Sequence, residues 1–362
     1  MAEAFTPAAT MSIDASRLSA RQSRATIAGI ATASPERSFD QAQILDLLGL
    51  TGDAFAEGIF ARCGVRTRGL EVSPELLQTT LQHRTATTEE GLMRLATRAI
   101  DSLVFKPDAV GVIVTASYYS LGGPTLAHRL VDHYGLRSDA DKYHLVGVGC
   151  ASAVPLLRLA AQGLRDRPGE TALVVAAESV SGFLTPVTAA DEKVKIVGSA
   201  LFGDGAAAAL LSLDPAVTGP KIVAAAVHQV PGTLDHVRFA VTGEDSHMQM
   251  TRELPEIAEK EVPGLVHEFL ARYGLDADAI DHWPVHPGGQ GIIDGLQRGL
   301  GLNDEDIAPS ANVLAENGNV GTPSAFFVLQ RTIAERAPQP GERGLAVTIG
   351  PGVTVGLMLL QW

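Results

Sequence analysis

The 362-residue sequence predicts an α/β fold made of two similar halves around buried sheet. Three observations carry this expectation. Short β-rich runs alternate with helical periodicity along the chain. The β-rich runs are almost continuously apolar, as in strands covered on both faces. After the break LDPAVTGPK at 213–221 the alternation begins again.

In chain order, the first-half strands are expected at TIAGIAT from Thr26, AVGVIVTA from Ala109, YHLVGVG from Tyr143, TALVVAAE from Thr171 and AAAALLSL from Ala206. Helices are expected at GLMRLATRAIDSL from Gly91, with Leu92, Leu95, Ala96 and Ala99 on one face, and at AVPLLRLAAQGLRD from Ala153. The second half offers a strand KIVAAAVHQV, a helix over 255–273, a strand DHWPVH, a helix over 288–300 and a final strand pair. The expected organisation is a flexible tail at 1–24, one half over 25–217 and another over 218–362. Within the repeat, YHLVGVG-C and its following helix align with DHWPVH-P and its following helix. That alignment places Cys150 and His286 at facing strand ends, where open α/β sheets bind ligands.

Composition narrows the function. Hydrophobic residues make up 46% and charged residues 19%, with 37 glycines, a globular balance. The net charge of -13 has no long acidic or basic run behind it, which argues against nucleic acid as a partner. No apolar run reaches the roughly 20 residues of a spanning helix, so no membrane span is expected. Cys63 and Cys150 allow at most one bridge, and the N-terminus lacks the apolar core of a secretory signal; both thiols are expected reduced and the protein cytoplasmic.

Cys150 precedes a helix that opens on Ala151, Ser152 and Ala153, a setting in which the helix dipole favours thiolate. A buried structural cysteine is an equal reading on position alone. His286 in HPGG and Asn319 in ENGNVGTPSA also stand at strand or loop ends, completing a nucleophile, a base and an orienting amide. No spacing resembles a zinc motif and no phosphate-binding glycine loop opens a helix, so no metal and no cofactor are expected.

GVGCASAVPLLRLA around Cys150, ALFGDGAAAALL from Ala200, HPGGQGIIDGLQRGLGL from His286, NGNVGTPSA around Asn319 and IGPGVTVGLMLL from Ile349 occur in the order and spacing of one family. Over residues 25 to 362 the chain resembles the type III polyketide synthases, the chalcone-synthase-like branch of the thiolase superfamily. The resemblance implies a five-layered αβαβα thiolase fold from two duplicated halves, usually a homodimer. It also implies an acyl-CoA starter loaded on Cys150, iterative decarboxylative condensation with malonyl-CoA at His286 and Asn319, and cyclisation to a pyrone or a phenolic, resorcinol-type product.

Other positions follow from the same resemblance. Phe202 matches an aromatic separating the CoA tunnel from the reaction cavity, and Met248 stands where plant members carry a second gatekeeper Phe. Gly350, Pro351 and Gly352 match the cavity-lining GFGPG loop, with Thr348 and Ile349 replacing its first two residues. Arg62, Gly288 and Gly289 fall on the CoA side, with Arg66 and Arg68 as substitutes for basic residues that are not retained. Gly123 lies near the place of a Met that crosses the dimer interface in plant members.

Three rivals are weighed. A ketoacyl synthase acting on carrier-protein substrates carries HQAN where this chain has HPGG. A hydroxymethylglutaryl-CoA synthase needs a catalytic glutamate, for which Glu178 is the candidate. A silent acyl-CoA-binding partner has no need of Cys, His and Asn together.

Overall fold

A computed structural model describes residues 25–120, 122–184, 193–242 and 245–362. The tail expected at 1–24 lies outside the described residues. The strands are β1 (Thr26–Ala33), β2 (Ser38–Asp40), β3 (Thr67–Gly69), β4 (Val110–Ala116), β5 (Asp141–Leu145), β6 (Thr171–Glu178), β7 (Gly205–Ser212), β8 (Lys221–Gln229), β9 (Val237–Thr242), β10 (Asp245–Met250), β11 (Arg343–Gly350) and β12 (Thr354–Gln361).

Eight strands form one sheet in the order β11-β12-β8-β1-β7-β6-β4-β5. Its two wings meet where β1 touches β8 at the single register pair Thr26↔Lys221. Each wing uses the same plan. In the first, β6 pairs antiparallel with β7 and parallel with β4. In the second, β11 pairs antiparallel with β12 and makes parallel bridges to His282 and Val285.

Alternation along these strands builds the layers. Val112, Val114, Val174, Ala346 and Met358 point inward onto the helices Ala153–Gly163 and Ser324–Arg336, through Val154, Leu157, Phe326 and Leu329. Ile113, Leu173 and Val175 point outward to helices Leu81–Asp101 and Leu126–Tyr134. Val347, Ile349 and Leu357 point outward to helices Leu254–Ala271 and Gln290–Leu300. Five layers result, with the two central helices enclosed between the wings.

The expected repeat alignment needs a correction. DHWPVH lies parallel beside β11, as β4 lies beside β6, so it answers to β4 and not to the strand before Cys150. Pro284 lacks an N–H, and the ladder shrinks there to isolated bridges. The helix matching Ala153–Gly163 in the central layer is Ser324–Arg336, so the residue facing Cys150 across the repeat is Asn319. Both stretches read as strand, small residues and helix, which is why the sequence pattern chose the wrong pair.

Among the described residues no helix is long and apolar enough to cross a membrane.

Candidate active site

Cys150, His286 and Asn319 line one cavity of about 540 Å³, together with Tyr118, Glu178, Phe202, Met248, Gly288, Ile349, Gly350 and Pro351. The cavity opens at the carboxyl ends of β4, β6 and β11, the end at which α/β sheets collect ligands. The nucleophile turn is set by glycines. Gly147 and Gly149 adopt left-handed φ of 80° and 56°, which turns the chain off β5 into the 3₁₀ turn Gly149–Ser152. A Cβ at Gly149 would stand 2.9 Å from the Pro351 ring, and one at Gly350 would stand 2.7 Å from the Ala151 nitrogen. The loop 350–351 therefore packs directly on the Cys150 turn. Gly350→Ala is expected to destabilise the fold by about 1–3 kcal/mol and to alter the alkylation rate of Cys150, read by thermal unfolding and iodoacetamide labelling.

Asn319 is held so that one end of its amide is spent and the other free. Its Oδ1 accepts from the Gly321 N–H at 2.9 Å and the Ser324 hydroxyl at 3.1 Å, and the Cys150 thiol lies 3.8 Å away. A backbone N–H can only donate, so the oxygen must face Gly321 and the Nδ2 donor is left for the cavity. His286 follows the Val285 bridge to Val347 and is only 2% exposed. A Cβ on Gly288 would stand 3.0 Å from its Nε2, so glycine at 288 leaves room for the ring. The His286 Nδ1 is buried and meets no partner among the described residues.

The electrostatics differ from the expected thiolate. Burial, and then the neighbouring Glu178 charge, push the Cys150 thiol up to about 12. Burial takes His286 down to about 4. Cys150 sits in a 3₁₀ turn and not in a regular first helical turn, and desolvation outweighs the dipole there. Both shifts favour a neutral thiol and a neutral imidazole, so that loading calls for proton transfer between them.

The shift on His286 has a consequence for stability. Its folded value lies below the ordinary value near 6.5, so the fold binds fewer protons than the unfolded chain between the two. The contribution is fully present above about 6.5 and is lost as pH falls towards 4. Glu178 and Asp204, raised by burial to about 7 and about 6, work in the opposite sense and lose their contribution as pH rises. His286→Gln is expected to remove roughly 2–4 kcal/mol of the acid sensitivity, measured as denaturant stability at pH near 4 and near 7.

A second cavity of about 700 Å³ adjoins the first and shares Met250, Leu254, Gly288 and Ile292 with it. Arg62, Gly288 and Gly289 line this second cavity. Phe202 and Met248 line the first one. Gly352 does not reach the cavity: a Cβ there would face Leu234 and Gln229. Arg68 is also excluded as a CoA contact, because it is fully buried and donates to the Phe202 and Ser199 carbonyls. Arg66 is exposed and 3.7 Å from Glu316. Gly123 is exposed, with nothing within 4 Å of where a Cβ would stand. Sequence reasoning passed over Tyr118, Ser117 and Thr322, whose positions at strand and loop ends were the available signal.

The five-layer architecture with a cysteine at the head of a central helix is the thiolase fold. Residues 31–262 match the family described as FAE1/Type III polyketide synthase-like protein, and residues 221–362 match the chalcone and stilbene synthase C-terminal domain. A 3,5-dihydroxyphenylacetyl-CoA synthase of Streptomyces toyocaensis is 29% identical over 361 residues, covering 94% of this chain and 90% of that protein. The crystal structure of PKS-I from the brown alga Ectocarpus siliculosus superposes with a TM-score of 0.85 at 26% identity, over 93% of this chain and 98% of that one. The 1,3,6,8-tetrahydroxynaphthalene synthase of Streptomyces coelicolor gives 0.84 at 26% identity, over 93% and 99%. This chain belongs to the type III polyketide synthase family and is an acyltransferase of decarboxylative condensation. The ketoacyl synthase, hydroxymethylglutaryl-CoA synthase and silent-partner readings give way to it.

Proposed function

We propose that Cys150, His286 and Asn319 extend a CoA-bound acyl starter with malonyl units. The observation that carries this reading is their convergence, from three separate loops, on one almost wholly apolar cavity. In loading, the Cys150 Sγ attacks the starter thioester carbonyl while its proton passes to His286. The Sγ–C bond forms, the C–S bond to CoA breaks, and the CoA thiolate leaves with the proton from His286. In extension, His286 and the Asn319 Nδ2 donate to the malonyl thioester oxygen. The bond to the carboxylate breaks, carbon dioxide leaves, and its electron pair forms an enolate stabilised by those donors. The enolate carbon attacks the acyl-cysteine and expels the Cys150 thiolate. The test is digestion of protein incubated with starter alone: the acyl mass belongs on the Cys150 peptide, and a labelled Cys63 with bare Cys150 sinks the reading.

The breaking malonyl bond supplies the enolate's electron pair, and thiol, imidazole and amide supply the nucleophile, the proton transfers and the donors, so the proposed chemistry takes no metal or redox cofactor. Arg62 lines the second cavity, which supports a role for it in meeting the CoA phosphates. A homodimer is supported by the family and by β5, a sheet edge beside which Val146 is 50% exposed. The cytoplasm, where acyl-CoA is made, is the proposed location. Cyclisation to a pyrone or resorcinol-type ring is set by the wall. Phe202→Ala and Met248→Ala enlarge the cavity and are expected to lengthen the product by one or more extensions. Mass spectrometry of products, beside melting temperatures, separates this from loss of packing.

A further inference from the structure

Helix Lys193–Leu201 ends just before Phe202, the aromatic of the cavity wall. Its last bond of helical spacing runs from the Phe202 N–H to the Gly198 carbonyl at 3.0 Å. One residue further on, the Gly203 N–H would serve the Ser199 carbonyl if the helix continued. It donates instead to the Asn319 carbonyl at 3.1 Å, while the Asn319 N–H donates to the Leu201 carbonyl at 2.9 Å. Phe202 and Asn319 thus form a parallel bridge, and the end of the helix and the Asn319 backbone fix one another.

Leaving the helix at this point strands two carbonyls in the interior, those of Ser199 and Phe202. Arg68 takes both. Its Nη1 donates to the Phe202 carbonyl at 2.9 Å and its Nη2 donates closely to the Ser199 carbonyl. The side chain is fully buried, and burial pulls its pKa down to about 10, which leaves it charged at neutral pH. Among the described residues its Nε has no partner and no carboxylate hydrogen-bonds the guanidinium. A cation buried in this way is costly unless its donors are well used. The stem of the side chain is enclosed by the same two segments: a Cβ at Gly203 would stand 3.2 Å from the Arg68 Cβ, and one at Gly318 would stand 3.5 Å from it.

We propose that Arg68 is a positioning residue for both the condensation and the cavity wall: by satisfying Ser199 and Phe202 it holds the chain off a further helical turn, keeps Gly203 paired with Asn319 and fixes Phe202 in the wall. Without it the Gly203 N–H is drawn back to the Ser199 carbonyl, which lengthens the helix by a residue and gives up a bond to Asn319. The neighbouring ties do not prevent this. The Asp204 N–H donates to the Gly69 carbonyl at 2.9 Å, and the Asp204 carboxylate accepts from Ser181 and the Glu71 N–H, all beyond Gly203. A planar fork suits two carbonyls at once, and a cation at a helix C-terminus meets the negative end of its dipole. The decarboxylation donor and the wall aromatic therefore share one support, and disturbing it changes rate and product length together. This rests on the reading of Asn319 as the enolate donor.

The experiment compares Arg68→Met, which removes charge and donors, and Arg68→Lys, which keeps the charge on a single nitrogen, with the wild-type protein. The first readout is decarboxylation of malonyl-CoA divided by starter loading on Cys150 in the same sample, a ratio that loss of folded protein does not change. Arg68→Met is expected to lower it about 10–100-fold and to spread the product over more than one chain length, with part of both effects recovered in Arg68→Lys. The second readout is hydrogen exchange by mass spectrometry, expected to quicken in peptides over 201–205 and 317–321 and to stay unchanged over Ala153–Gly163. Where Arg68→Met does not fold, Arg68→Lys carries the same comparison with a smaller loss. An unchanged ratio or unchanged exchange in the folded variant overturns the proposal. Failure of both variants to fold overturns it too, because Arg68 then supports the core as a whole. If the wild-type protein neither loads Cys150 nor decarboxylates, the proposed function falls instead, and the exchange readout alone decides whether Arg68 holds Gly203 on Asn319.

Discussion

Asn319→Ala is expected to lower malonyl-CoA decarboxylation by about 10²–10³-fold, the usual cost of removing one preorganised donor from a developing oxyanion. Starter loading on Cys150 should survive, because that step uses sulfur and imidazole. The geometry makes the expectation specific. Gly321 and Ser324 occupy the Asn319 Oδ1, so the Nδ2 is the end that serves the cavity. Asn319→Asp keeps that anchor and removes the donor, while placing a negative charge where the enolate forms. It is expected to lose at least as much as the alanine variant with less effect on melting temperature. Carbon dioxide release from labelled malonyl-CoA, beside the acyl mass on Cys150, reads the two steps apart. Unchanged release in both variants would remove Asn319 from the chemistry.

Cys150→Ala is expected to abolish extended products, at least about a 10⁴-fold loss, since no other group in the cavity forms the covalent intermediate. Decarboxylation of malonyl-CoA should persist at a reduced or comparable rate, because His286 and Asn319 are intact and the enolate needs no sulfur. It is then protonated and released as acetyl-CoA. Product formation by the alanine variant would mean that extension proceeds without the acyl-cysteine.

The sequence was most informative where the physics is local. Apolar period and length located β1, β4, β6, β7, β8 and the helices at Leu81–Asp101 and Ala153–Gly163, because buried strands and amphipathic helices leave those patterns directly. The three reactive residues were legible as a set, each at a strand or loop end. What failed depends on the third dimension. The repeat was registered one strand out, since sheet neighbours are chosen by pairing and not by chain order. The thiol was read as ionised from its place before a helix, whereas its environment is decided by Glu178, Tyr118 and the 350–351 loop, all distant in sequence. Arg68 looked like a surface cation until its burial beneath Phe202 was visible.

The most direct test of the account is to incubate the purified protein with labelled malonyl-CoA and a panel of acyl-CoA starters, without any carrier protein, and to identify products by mass spectrometry. Labelled pyrones or aromatic polyketides that disappear in Cys150→Ala are the expected result. Products that form only after an acyl carrier protein is added, or that persist without the Cys150 sulfur, would contradict it.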